Sequence, residues 1–364
     1  MKIAQIAPLM ERVPPSGYGG TERVVSYLTE ALCSMGHDVT LYASGDSITR
    51  ARLVPVCPRS LRLEGKSAHW LAYHLYMVEL VFSDLFAYDI LHFHIDLLHY
   101  SLARKSGAPT VTTLHGRLDL PEIYDFATEF RDIPVVSISD AQRIPLPGLN
   151  WQSTVFNGLP EDLYTISEAK GEYLAFIGRI SPEKGVDKAI EIAVRAGMPL
   201  KIAAKIDPAD ERYFHEHIAK LLYHPLVEYL GEVGEEEKNR FLGNARALLF
   251  PIAWPEPFGM VLIEAMACGT PVIAFPGGSV PEIIEHGSNG FVVQTIEQAV
   301  QAVEKVASLD RKVCRKVFEQ RFSAELMAEK YLRVYDRIAG FEQRTSRREL
   351  MWNESSALTT STIS

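Results

Sequence analysis

Two glutamates stand eight positions apart in PEPFGMVLIEAMACGTPVIAF, which runs from Pro255 to Phe275. Glu256 opens the stretch, and Glu264 lies among Val261, Leu262, Ile263, Ala265, Met266 and Ala267. A carboxylate in such a run needs partners, and hydroxyls of a bound ligand would serve. Pro257 suits the first turn of a helix, where its missing N–H costs nothing. That places Glu256 just before the helix and Glu264 about two turns in. Backbone N–H groups of Phe258, Gly259 and Met260 would then point out of the helix start, where free donors and the helix dipole attract phosphate. Gly259 leaves room for close approach. The plainer alternative is a capping Glu256 and a Glu264 on a wet face. The apolar neighbours leave little wet face for it.

A second segment, FIGRISPEKG, puts Arg179 and Lys184 after a strand and before a helix. Two cations at a strand's carboxyl end suit a diphosphate, Arg as a fork and Lys as a point charge. A surface ion-pair cluster with Glu183 and Asp187 is the competing reading. The spacing is not a P-loop. A third segment, SGYGGTERVV, holds Gly19 and Gly20 in a turn between the first strand and first helix. It breaks the dinucleotide fingerprint, because Glu22 stands where the third glycine belongs. His115 ends the strand of TTLHG and should face a crevice. HFHID sets His92, His94 and Asp96 at a spacing that metal hydrolases use, but no completing ligand set follows. No DxD triplet occurs, so no carboxylate-held magnesium is expected.

Short strands must carry these residues. KIAQIAP, DVTLYAS, DILHFHI, PTVTTLH and PVVSISD alternate with helical segments, and the rhythm restarts at EYLAFIGR, PLKIAAKI, VEYLGEV, ARALLFP, PVIAF and GFVV. Strand–helix alternation implies parallel sheets with helices on both faces. At 364 residues the chain fits two such doubly wound α/β halves. The turn-forming cluster at VFNGLPEDLY marks the join, giving units 1–156 and 157–323. AELMAEKYLRVYDRIAGF reads as a closing helix at about 324–341, and 342–364 as a flexible tail. The net charge of -9 argues against a nucleic-acid binder. Four scattered cysteines without a CxxC pair fit a reducing compartment. MKIAQIAPL reads as a first strand, not a signal peptide, and no apolar run approaches the roughly 20 residues of a membrane span. A cytoplasmic protein is expected. The basic group Arg50, Arg52, Arg59, Arg62 and Lys66, followed by HWLAYHLYMVELVF, reads as a solvated loop before a core helix. A face touching anionic lipid or an anionic acceptor is the second reading.

Taken together, GRISPEKG, YGGTE, TTLHG, SISDAQR, FNGLP and the paired glutamates resemble the retaining glycosyltransferases of the GT-B architecture, the family 4-like and group 1 enzymes. The resemblance spans about residues 1–340. It implies two Rossmann-like domains facing a cleft, acceptor side first and donor side second, with the C-terminal helix crossing back. It implies hexosyl transfer from a nucleotide-diphosphate sugar, UDP- or GDP-linked, with retention and without metal or other cofactor. Glu256 would contact the transferred sugar, Glu264 the ribose, Arg179 and Lys184 the diphosphate, and the backbone of Phe258 to Met260 the distal phosphate. His115 would approach the anomeric carbon. Gly19 and Gly20 would border the diphosphate and acceptor, and the base would lie near Gly231 to Val233. After PLKIA, relatives carry a Gly-x-Gly turn where this chain has AAKIDPAD, so donor identity transfers less well than reaction type. The acceptor, a glycan, a lipid-linked sugar or a small metabolite, is left open. So are a non-catalytic nucleotide-sugar binder and the HFHID hydrolase.

Overall fold

The computed structural model describes residues 1–17, 19–167 and 171–340. The tail expected at 342–364 lies outside these described residues. Seven strands form the first sheet: β1 Lys2–Ile6, β2 Asp38–Ser44, β3 Arg52–Cys57, β4 Ile90–Phe93, β5 Thr110–Leu114, β6 Pro134–Ser137 and β7 Asn150–Thr154. Six form the second: β8 Tyr173–Arg179, β9 Leu200–Lys205, β10 Val227–Gly231, β11 Ala245–Phe250, β12 Val272–Ala274 and β13 Gly290–Val292. The orders are β3-β2-β1-β4-β5-β6-β7 and β10-β9-β8-β11-β12-β13. Both sheets are parallel throughout.

Each order reverses once, between β1 and β4 and between β8 and β11. Loops leaving the carboxyl ends of strands at such a reversal diverge and open a crevice. The glycine turn follows β1, GRISPEKG follows β8, and the paired glutamates follow β11. Topology therefore places all three segments at crevices.

The central strands are buried runs. Ala4, Ile6, Leu91, Phe93, Leu174, Phe176, Leu248 and Leu249 are shielded on both faces by helices. Two strands went unread in the sequence, both at the edge of the first sheet. RLVPVC lies in a basic stretch that reads as a loop, and NWQST is polar apart from Trp151. Edge strands tolerate proline and charge because one side makes no ladder. The helix Trp70–Ser83 also departs from expectation. It buries only His74, Met77, Val78 and Val81, and it exposes Trp70, Leu71, Leu75 and Tyr76. It is a half-buried helix, not a core helix.

The chain crosses between the sheets twice, and the crossings lie side by side. Leu159 N–H donates to the Phe322 carbonyl at 2.9 Å, and Ala324 N–H donates to the Leu159 carbonyl at 2.8 Å. A Cβ on Gly158 would sit 2.2 Å from the Ser323 carbonyl oxygen, so only glycine permits this approach. The Ala324–Ala339 helix, capped by the Ser323 hydroxyl, returns to the first sheet. Met327, Ala328, Tyr331 and Val334 share a core with Val24, Leu28 and Ala31 of the Gly20–Ser34 helix. Gly340, at φ 68°, ends it.

Candidate active site

Between the two sheets lies a cleft of about 740 Å³. The candidate catalytic and donor-binding residues reach it: Gly19, Gly20 and His115 from the first half, and Arg179, Lys184, Val233, Glu256, Phe258, Gly259, Met260 and Glu264 from the second. His92, His94 and Asp96 do not. Gly231 is not on its wall, though Glu232 and Gly234 are.

The paired-glutamate segment differs from expectation at its helix start. The helix is Met260–Ala267, so Pro257 precedes it, and Glu264 is one turn in rather than two. Gly259, at φ 81°, takes a left-handed conformation that breaks the helix there. Phe258 consequently packs inward as fully buried core. The N–H groups of Met260 and Val261 have no carbonyl within the helix and lie on the cleft wall, while Leu262 N–H donates to the Gly259 carbonyl at 2.9 Å.

Glu256 is nearly buried and does not cap the helix. Lys184 Nζ donates to its Oε2 at 2.6 Å, and Trp254 Nε1 donates to the same oxygen at 2.9 Å. Lys184 also sits 4.7 Å from the Trp254 ring centre, a cation–π contact. Gly185 makes this possible. Its φ is 69°, and a Cβ there would lie 2.3 Å from the Pro251 carbonyl oxygen. The chain after β8 is thereby pressed against the chain after β11. Arg179 meets Glu183, and its Nε is 3.1 Å from Asp210. The ion-pair reading thus holds in part for Arg179, with Asp210 and Asp207 in place of Asp187. Lys205 pairs with Asp207 at 3.0 Å, so AAKIDPAD does border the cleft.

Glu264 is bound by a residue the sequence reading passed over. Lys238 Nζ donates to Glu264 Oε1 at 2.9 Å and lies 3.4 Å from Glu235. Glu235 also receives Arg23 of the first half and the Tyr164 hydroxyl. Burial alone would raise the Glu235 carboxyl, but Lys238 and Arg23 hold it below the usual range. Charges thus bridge the cleft. GEEEKNR reads in sequence as a solvated acidic helix start, and only the packing turns Glu235 and Lys238 inward.

On the first-half wall, Glu22 is buried without an ion-pair partner among the described residues. Burial pushes its carboxyl up to about 7, and Glu11 adds to the rise. His115 follows β5, and burial holds it down to about 4. The SISDAQR segment sets its loop: Gln142 Nε2 donates to the carbonyls of Leu114 and Gly116 at 2.9 and 2.8 Å. The Ser139 hydroxyl donates to the Pro257 carbonyl at 2.7 Å, linking His115's loop to the glutamate segment. HFHID does not assemble a metal site. β4 ends at Phe93, Asp96 lies outside it at φ 52°, and both histidines bond to protein groups. Among the described residues no group of three or more His, Cys, Asp or Glu could hold a metal ion.

Two parallel α/β halves that bring cations, a helix start and paired carboxylates to one cleft define a glycosyltransferase of the GT-B architecture. The chain belongs to that family: residues 18–140 match Glycosyltransferase Family 4, and residues 165–320 match Glycosyl transferases group 1. It is 24–26% identical over 344 or more residues to curated glycosyltransferases. One is the phosphatidyl-myo-inositol mannosyltransferase of Mycobacterium leprae, with 93% of this chain and 97% of that protein covered. The fold is similar to that of AviGT4, a glycosyltransferase involved in avilamycin A biosynthesis, at a TM-score of 0.72 and 23% identity, covering 93% of this chain and 98% of that one. It is also similar to Anabaena HepE in complex with UDP-glucose, at 0.68 and 19% identity, covering 93% and 100%.

Proposed function

We propose that this enzyme transfers a hexosyl group from a nucleotide-diphosphate sugar to an acceptor hydroxyl, with retention of anomeric configuration and without a metal. One observation carries the reading: Lys184, Arg179 and the free N–H groups of the Met260–Ala267 helix converge at the second sheet's reversal, with His115 facing them across the cleft. In this reading the ribose hydroxyls bond to Glu264 beside Lys238, and the sugar hydroxyls bond to Glu256. The diphosphate takes the cations. The anomeric C–O bond breaks with its electron pair leaving on the β-phosphate. The acceptor oxygen bonds to the same carbon from the same face, and its proton passes to the departing phosphate. Fixed cations and N–H dipoles stabilise the leaving charge without reorganising. The HepE complex with UDP-glucose supports a UDP sugar, and the mannosyltransferase relatives a mannosyl donor, as the donors to try.

A membrane-borne acceptor fits the exposed helix face of the first half. Leu63, Trp70, Leu71, Leu75 and Tyr76 are exposed close to Arg59 and Lys66 in the chain. That combination of apolar and basic residues suits the inner face of an anionic membrane. No described helix is long and apolar enough to cross one.

The test is transfer from UDP-glucose and GDP-mannose by wild type and three variants, with EDTA present. Lys184→Ala is expected to slow transfer at least a hundredfold, about 2.7 kcal/mol in barrier. Glu264→Gln should weaken nucleotide affinity, and Glu256→Gln should lower turnover with little loss of affinity. Nucleotide binding with no transfer to any acceptor would favour a non-catalytic sugar-nucleotide binder.

A further inference from the structure

Behind the cleft a chain of hydrogen bonds connects His115 to the returning C-terminal helix. His115 Nε2 and His94 Nδ1 are 2.9 Å apart, and His94 Nε2 is 2.8 Å from Gln5 Oε1. Gln5 Nε2 donates to the Tyr335 hydroxyl at 3.1 Å, and that hydroxyl lies 2.6 Å from His92 Nδ1. His92 Nε2 is 2.7 Å from the Thr113 hydroxyl, which is 2.8 Å from the Tyr331 hydroxyl. Gln5, His92, His94, Thr113, Tyr331 and Tyr335 are all buried. They come from β1, β4 and the segment just after it, β5 and the Ala324–Ala339 helix, so the chain exists only once that helix has crossed back.

Gln5 sets the polarity of the chain, because its two amide atoms have opposite roles. Its carbonyl oxygen only accepts, so His94 Nε2 must carry a proton and donate it. Burial keeps His94 neutral at working pH. A neutral His94 with a proton on Nε2 has a bare Nδ1, which accepts from His115 Nε2–H. His115 is neutral by the same cause. Its Nδ1 is therefore bare, has no hydrogen-bond partner among the described residues, and belongs to a ring on the cleft wall.

We propose that Gln5, His94 and Tyr335 are positioning residues that hold His115 in its Nε2–H tautomer, so that Nδ1 offers the cleft an acceptor for one substrate hydroxyl. A bare nitrogen draws a hydroxyl proton and repels phosphate oxygens. His115 thus orients a sugar or acceptor hydroxyl and does not stabilise the leaving diphosphate. Turning the Gln5 amide over would reverse the bonds along the chain and present N–H to the cleft instead. The Tyr335 hydroxyl accepts from the amide nitrogen and gives its own proton to His92 Nδ1. Without that bond the two amide orientations, and the two His115 tautomers, come close in energy. The identity of the hydroxyl rests on the glycosyl-transfer reading; the tautomer is a property of the chain alone.

Ring ¹⁵N shifts of the full-length protein, with His115 assigned by the loss of its signals in His115→Asn, test this directly. The expected wild-type result is a protonated Nε2 and an unprotonated Nδ1. Tyr335→Phe and Gln5→Met should each move the two shifts toward an average and cut kcat for transfer at least tenfold, with nucleotide affinity changed less than threefold. Tyr331→Phe, an equally buried hydroxyl of the same helix at the far end of the chain, should leave the His115 shifts in place. A protonated Nδ1 in the wild type overturns the proposal, as does an unchanged His115 signature in both Tyr335→Phe and Gln5→Met. Absence of transfer by the wild type from any nucleotide sugar would sink the functional reading and leave the tautomer result standing.

Discussion

The carboxylates of the cleft have different environments and so different expected behaviour. Glu256 and Glu264 each accept from a lysine, whereas Glu22 is buried with no ion-pair partner among the described residues. Its carboxyl keeps a proton up to about pH 7 in the folded chain, against an ordinary value of 4.5. Between those values the folded state binds more protons than the unfolded one, so rising pH favours unfolding. Glu22→Gln removes that cost. It should be more stable than wild type at pH 8, by up to about 3 kcal/mol, with the advantage gone by pH 4. Denaturant midpoints measured across that range check the slope. A stability difference that does not vary with pH would mean that Glu22 is solvated.

Turns and helices set how close the two halves of the site come. Gly185 combines a left-handed backbone with a carbonyl oxygen where a Cβ would go. Gly185→Ala should cost on the order of 2 kcal/mol or more and abolish transfer by shifting Lys184, as unfolding and rate measurements on one preparation would show. A fully active, equally stable variant would mean that the loop has slack. The Trp70–Ser83 helix poses a different question. If its exposed apolar face meets a membrane, the wild type should sediment with vesicles containing anionic lipid and not with neutral ones. Trp70→Ser combined with Leu75→Ser should then bind at least tenfold more weakly while keeping its thermal midpoint. Equal sedimentation of both proteins would rule this face out.

The halves are tied across the cleft by Arg23 to Glu235, Ser139 to the Pro257 carbonyl, and Glu282 to the N–H groups of Asp140 and Ala141. A nucleotide that binds between them should stabilise the folded chain. At a hundred times its dissociation constant the gain is about 2.7 kcal/mol. Thermal unfolding against UDP, GDP, ADP, dTDP and NAD, with and without EDTA, should show one nucleoside diphosphate raising the midpoint in both conditions. A rise that EDTA removes would show a metal in the complex and overturn the metal-free reading. A rise with NAD alone would overturn the nucleotide assignment.

Most of the strands, the two α/β halves and eleven of the residues that line the cleft were legible because their signals are local. Buried parallel strands are continuous apolar runs, and ligand-binding turns combine glycine with charge. β3 and β7 were not legible, since edge strands are relieved of the apolar requirement that makes a strand visible. The helix start was misplaced because proline marks where a helix is permitted, while the left-handed Gly259 is where this one begins. Lys238, Glu235, Arg23 and Glu22 carry no local mark at all. Each is an ordinary charge on a helix until another element covers it. The same holds for His92 and His94, whose spacing suggested a metal. Their bonds run to Gln5, 89 residues from His94, and to Tyr335, 243 residues from His92. Such long-range pairings follow from the sheet order and the returning helix. Residue types and spacings can announce which groups are available for chemistry. Which of them are paired, buried and held in one protonation state is set by the elements that close around them.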